Sequence, residues 1–225
     1  MVVRPEAVLS EGHLAEAQKA ASLLLDLLPD SLTYHSKEHT VLCVVPAAHR
    51  LALAEGLSFE ERVLVEIAAW FHDTGFVARY RGHELVSATF AEQFMRQCAY
   101  PFSEDHLLRV HELIMATDPA VPPRSLSERI MKDADLSPLG RHDFSRWSLA
   151  LFEESARHRD APLHDHADSL VHWRRFETRF LARTAWWTLS ARQLYDDERR
   201  YNIEVLQRSF LAQPSLTFSS SGQKL

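Results

Sequence analysis

The chain has 225 residues, 46% apolar and 25% charged, the balance of a globular protein rather than a disordered or fibrous one. Lys and Arg number 25 against 31 Asp and Glu, and the formal charge of −6 excludes a protein that coats nucleic acid through a generally basic surface. His numbers 13, an excess that favours a metal site, because imidazole is the commonest metal ligand.

The periodicity is helical nearly throughout, and no alternating run is long enough to read as a strand. The sequence therefore predicts an all-α fold. Leu14, Ala17, Ala21, Leu24 and Leu28 form the stripe of a first helix, with Ser10 as N-cap and Pro29 as stop. A second helix is expected from about Ser36 to Ala54, with Pro46 kinking or dividing it before Gly56. Ser58 caps a third, with Glu60 and Glu61 in its first turn and Phe59, Val63, Ile67 and Trp70 as its buried stripe. Gly75 follows as its terminator.

A fourth helix reads from His83 to about Cys98, with Leu85, Ala88, Ala91 and Met95 inward. Ser103 caps a fifth that buries Leu107, Val110 and Ile114. After the Pro-rich DPAVPPRS come a short helix near Leu126–Ala134, then helices at about Phe144–His158, Leu163–Ser190 (broken near Trp186) and Ala191–Leu211. One domain is expected over 1–213, with a motif-bearing core over about 34–140, C-terminal helices over about 141–211 and a flexible tail over 214–225.

No apolar run approaches the roughly 18 residues of a membrane span. The opening MVVRPEAVLSEGH has no apolar signal-peptide region, so a cytoplasmic protein is the expectation. Cys43 and Cys98 lie in apolar helical stretches and read as buried free thiols.

Three segments carry residues unusual for their setting: Tyr34-His35-Ser36-Lys37-Glu38-His39-Thr40, Phe71-His72-Asp73-Thr74-Gly75 and Lys132-Asp133-Ala134-Asp135-Leu136. His72 and Asp73 follow the apolar run Ile67–Phe71, and burying such a pair is unfavourable unless it is paired or coordinated. In mid-helix two consecutive side chains diverge by about 100°, but at a helix end both can turn toward one ion. His39 lies 33 residues before His72, and Asp135 lies 62 residues after Asp73, giving the order His…His-Asp…Asp.

On these residues the chain resembles the HD superfamily of metal-dependent phosphohydrolases, in particular its small stand-alone bacterial members. The motif elements are YHSKEHT, FHDTGF, HELVSA and KDADLSPLG, over about residues 34–140. The resemblance implies a helical bundle with His39, His72, Asp73 and Asp135 as metal ligands. His35 competes with His39 from one turn earlier, and Asp133 competes with Asp135. As non-ligands, His35 would stand at the entrance and Asp133 would hydrogen-bond a ligand imidazole. His83 fits the first position of a second metal site. The other usual position is Thr117, with His111 six residues earlier, so one ion is expected and a second is in doubt.

The implied function is hydrolysis of a small phosphate ester, such as a nucleotide, by metal-activated water. Asp73 and His83 would be the catalytic residues, with His35, Lys37, Arg79 and Arg81 holding phosphate. Two His and two carboxylates suit Mn, Fe, Co, Ni or Zn, and Mg less well. The alternatives are a metal-containing regulatory or binding module without turnover, and a di-iron oxygenase on the same scaffold, which needs a fuller ligand set. His164-Asp165-His166 reads as solvated surface. Trp147, Phe152, Trp173, Phe176, Phe180, Trp186 and Trp187 read as core, and Arg174, Arg175, Arg179 and Arg183 as a solvated helix face.

Overall fold

A computed structural model describes residues 8–211. The expected tail at 214–225 lies outside them. Ten α-helices follow in order among the described residues: α1 (Glu11–Leu25), α2 (Lys37–His39), α3 (Val45–Ala54), α4 (Phe59–Phe71), α5 (His83–Gln97), α6 (Glu104–Met115), α7 (Leu126–Asp135), α8 (Phe144–Arg157), α9 (Leu170–Arg183) and α10 (Leu189–Leu211). The described residues contain no strand. The fold is all-α, as the periodicity predicts, and no described helix is long and apolar enough to cross a membrane.

The serines start helices where the sequence places them. Ser58 accepts from the Glu61 amide at 3.3 Å, and Glu61 accepts from the Ser58 amide at 3.1 Å. Each side chain thereby satisfies a donor that the first turn leaves free. Ser103 and His106 form the same reciprocal pair on α6.

Helix α4 is the centre of the bundle. Val63, Leu64, Val65, Ile67, Ala68, Ala69, Trp70 and Phe71 are all buried, so it is enclosed on nearly every side. Helices α1, α3 and α6 pack along it, and α5 and α7 complete the enclosure. Two expected core positions differ. Phe59 is 40% exposed at the first position of α4, and Leu85 is 49% exposed because Glu84, one residue and about 100° earlier, takes the inward place on α5.

Pro46 divides the second helix. A π-helical turn, Thr40–Val44, joins α2 to α3 just before it. Proline offers no N–H to the carbonyl four residues earlier, that of Leu42. Arg141 Nη1 donates to that carbonyl instead, at 3.2 Å.

The C-terminal part departs from the expected Leu163–Ser190 helix. His164–His166 form a 3-10 turn, α9 begins only after its Ser169 cap, and it ends at Arg183. The extended Thr184 and the residues to Thr188 lead into α10. Two acids hold the start of α10. Asp133 accepts from the Trp187 and Thr188 amides at 2.9 and 2.8 Å and from the Thr188 hydroxyl at 2.7 Å. Glu55 accepts from the Ser190 amide at 2.8 Å. Negative charge at a helix N-terminus is favourable for the same reason that cap side chains are. Cys43 is buried as expected, while Cys98 is only half-buried because it follows the last turn of α5.

Candidate metal centre

The end of α4 builds the first half of the site. The helix stops at Phe71, and Asp73 (φ −103°, ψ 0°) leads into the 3-10 turn Thr74–Val77. The Thr74 hydroxyl donates to Phe71 O at 2.7 Å, satisfying one terminal carbonyl. Gly75 is required here by close approach. A Cβ on it would lie 2.0 Å from the His83 carbonyl oxygen at the start of α5. The Gly75 amide also donates to Ser87 Oγ at 2.8 Å, which fixes α5 against the turn. His72, Asp73 and His83 are therefore positioned by one packed junction.

His39, His72 and Asp73 are buried, and each brings one ligand atom to within 4.8 Å of the others. Asp135, at the end of α7, completes the group. Its Oδ1 lies 3.3 Å from His39 Nε2 and 3.7 Å from His72 Nε2. The remaining approaches are His72 Nε2 to Asp73 Oδ2 at 3.1 Å and His39 Nε2 to the same oxygen at 4.0 Å. The four residues implied as ligands thus meet at one place. Between His35 and His39 it is His39 that reaches the group, and between Asp133 and Asp135 it is Asp135.

The hydrogen bonding around His72 decides what the group needs. Its Nδ1 lies 2.8 Å from the Ala69 carbonyl, which can only accept, so Nδ1 carries the proton. In the neutral ring Nε2 is then a bare lone pair, and it faces two carboxylates. That is repulsive unless a proton or a cation sits among them. His72 Nε2, Asp73 Oδ2 and His39 Nδ1 are all buried without a hydrogen-bond partner. Burial pulls the His72 imidazole down, but the Asp73 charge, with Asp135, outweighs it and raises the group to about 9. Burial pushes Asp73 up, yet His72 and His83 hold it well below the usual carboxylate range. This donor set fits a divalent ion, which places positive charge where the imidazole otherwise takes a proton. His72 also shows the usual support of a ligating imidazole, a backbone acceptor on its other nitrogen.

His83 repeats that pattern. Its Nδ1 donates to Tyr80 O at 3.1 Å, and its Nε2 lies 3.5 Å from Asp73 Oδ1. Phe76 stacks on the His83 ring at 3.7 Å and on the His35 ring at 4.4 Å. Tyr34 lies against the His39 ring at 4.6 Å, and Trp147 meets both edge-on.

His35 leads to a residue that sequence reasoning missed. Glu154 on α8 is fully buried and accepts four hydrogen bonds: the Tyr34 amide (2.8 Å), the His35 amide (3.0 Å), His35 Nδ1 (2.5 Å) and the Tyr80 hydroxyl (2.6 Å). Burial alone would raise this carboxyl, but His35, Tyr80 and the Tyr34 amide hold it down at about 2. Burial lowers His35 as well, and Glu154 more than restores it, so its pKa is raised. Lys132, which opens the third unusual segment, was given no role there. It is buried on α7 and donates to Asp118 O at 2.9 Å. Burial lowers its pKa against the pull of Asp135.

Several expected residues take other places. The oxygens of Asp133 serve Trp187 and Thr188, so it does not support a ligand imidazole. Asp133 and Asp135 are two positions apart on one helix, about 200° in phase, and face opposite ways. Lys37 pairs with the exposed Asp26 at 2.7 Å. Arg79 donates to Gly82 O at 3.1 Å and Arg81 to Asp160 O at 2.8 Å. Arg79 closes a local turn, Arg81 ties its loop to the segment after α8, and none of the three has a polar contact with the ligand group among the described residues. His111, half-buried on α6, has no polar contact with it either. Thr117 donates its hydroxyl to Ile114 O at 2.7 Å.

The surface readings divide similarly. His164 donates to Ser155 O at 2.9 Å, and neither it nor His166 is buried. Trp147, Trp173 and Trp186 are core, but Phe180 and Trp187 are 40% and 47% exposed, and Phe152 and Phe176 are half-buried. No family model matches the chain, and neither a curated protein nor a solved structure matches it.

Proposed function

We propose that the His39–His72–Asp73–Asp135 group holds one divalent cation and that the protein is a metal-dependent phosphohydrolase acting on a small phosphate ester. The observation that carries the metal is the buried His72 Nε2 lone pair facing two carboxylates, one of whose oxygens, Asp73 Oδ2, is likewise buried without a partner. Support for the reaction comes from the resemblance of the motif order to the HD phosphohydrolases.

Bound there, a divalent ion would polarise a phosphoryl oxygen and lower the pKa of a water. The chain supplies the rest. Asp73 turns Oδ2 toward the ligand group and Oδ1 toward His83, so one oxygen can ligate while the other accepts a hydrogen bond from an attacking water and orients it. His83 and His35 are more open than His39, His72 and Asp73, at 14% and 20% exposure of their side chains. They are the imidazoles placed to meet phosphoryl or leaving-group oxygens. Glu154 fixes the Nδ1–H of His35, which leaves its Nε2 for a substrate oxygen. Preorganised donors of this kind stabilise the charge that develops in phosphoryl transfer.

The test is elemental analysis of the purified protein, followed by a panel of phosphate esters in the metal found. Turnover that His72→Ala and Asp73→Ala abolish is the expected result. A metal-loaded protein that hydrolyses no ester in the panel contradicts the hydrolase and favours a binding module. Two irons per chain favour the oxygenase chemistry instead.

A further inference from the structure

Far along the chain from the ligand group, α9 carries four Arg, at 174, 175, 179 and 183, against one Glu. Arg175, Arg179 and Arg183 follow at intervals of four, and each interval advances about 6 Å and turns about 40°, so they form one stripe. None of the three has an ion pair or hydrogen-bond partner among the described residues. The helix's one acid does not neutralise them. Glu177 is buried on the other side of α9, and burial raises its carboxyl to about 7. Beside the stripe stand His166, from the preceding 3-10 turn, and His172 of α9 itself, which is paired with Asp168 at 2.7 Å.

Aromatic rings run beside the cations. Phe176 and Phe180 lie 5.9 Å apart with planes 19° from parallel, and His166 stacks on Phe176 at 4.4 Å and 10°. The three rings, with His172 and the Arg stripe, line an open groove of about 560 Å³. We propose that this groove binds single-stranded nucleic acid, with the three guanidiniums on phosphates and bases stacked on the His166, Phe176 and Phe180 rings.

Charge complementarity and the near-parallel rings together select this occupant. A run of unpaired Arg, spaced about 6 Å along the helix axis, suits a polyanion with a regular repeat. Flat, partly exposed rings beside it suit bases, each of which has a π-face whatever its sequence. An acidic peptide would use the cations and leave the rings unexplained. The chain's own 212–225 segment contains no Asp or Glu, so it offers the stripe no acidic side chain. The formal charge of −6 opposes coating over the whole surface, and the groove is a local exception to it.

The test is fluorescence anisotropy with a labelled 12-nucleotide single-stranded RNA and the whole chain. Binding should weaken with salt at a logarithmic slope of about −2, the value for three phosphates on a single strand. Arg175→Glu/Arg179→Glu/Arg183→Glu should lose at least tenfold in affinity. Phe176→Ala/Phe180→Ala should lose at least fivefold and keep the salt slope. Lys19→Glu/Arg109→Glu/Arg129→Glu, with the same change in net charge, should stay within twofold. His72→Ala should bind as the unaltered protein does, which separates this site from the metal centre. Absence of binding overturns the proposal, and so does an equal loss in the control triple variant. Displacement of the RNA by polyglutamate as readily as by unlabelled RNA, with the Phe variants unaffected, would assign the groove to acidic protein instead.

Discussion

Asp73 in the ligand group and Glu154 at the α8 junction are both buried carboxylates, and the two places treat them in opposite ways. At the α8 junction Glu154 takes four hydrogen bonds, and neither of its oxygens is left without a donor. At the ligand group His72 Nε2 and Asp73 Oδ2 are buried without partners, 3.1 Å apart, with His39 Nε2 4.0 Å from the same oxygen. The first arrangement is complete as a protein structure. The second becomes complete only with added positive charge. Burial of ionisable groups is therefore not the mark of the site; clustered, unpartnered ligand atoms are. Glu177 shows a third outcome. Its Oε2 is buried and unpartnered but has no ligand-bearing neighbours, and it meets the problem by holding its proton up to about 7.

The largest effect that sharpens the contrast is on stability at the complete junction. Glu154→Ala leaves His35, Tyr80 and two amides unmatched and should destabilise the fold by about 4 kcal/mol, the scale for breaking a buried pair. Urea unfolding measures this, and a change under about 1 kcal/mol would mean that the junction carries little. The pH dependence of the two glutamates should also oppose. The carboxyl of Glu154 is depressed to about 2, so its contribution is present above about 4.5 and is lost as pH falls toward 2. That of Glu177 is raised to about 7, so its contribution is present below about 4.5 and is lost as pH rises through 7. At 1.36 kcal/mol per unit the Glu177 loss is about 3 kcal/mol. Glu177→Gln should flatten the unfolding free energy between pH 5 and 7, and an unchanged slope would remove Glu177 as its source.

A smaller effect belongs to Asp133. Asp133→Ala removes the acceptor for two amides and a hydroxyl at the start of α10 and should destabilise by about 2 kcal/mol. Amide exchange should quicken at Thr188 and Ala191 while α4 stays protected. Equal acceleration in both helices would contradict a local role. Smallest of all, His164→Ala and His166→Ala should leave metal content unchanged, because those rings contact Ser155 O and Phe176 rather than the ligand group.

Much of this was legible in the sequence because the signals were local. The Ser caps, the break at Pro46 and the HD dipeptide at the end of an apolar helix each follow from a few adjacent residues. His39 and Asp135 were legible through motif order. Glu154 was not. It stands beside Glu153 on an ordinary amphipathic helix, and only tertiary packing turns one of the two inward to a loop more than a hundred residues away. Lys37, Arg79 and Arg81, expected beside phosphate, take other partners for a related reason. Proximity in sequence to a motif does not fix where a long, flexible side chain finds its partner.

Metal stoichiometry bears most directly on the ligand group. The unaltered protein, His72→Ala, Asp73→Ala and Glu154→Gln should each be stripped of metal, titrated with Mn, Co and Zn in a calorimeter, and checked by elemental analysis. One equivalent bound by the unaltered protein and by Glu154→Gln, and none by the other two, is the predicted result. Saturating binding that survives both His72→Ala and Asp73→Ala, or no binding by the unaltered protein, would contradict the assignment of this group as a metal centre.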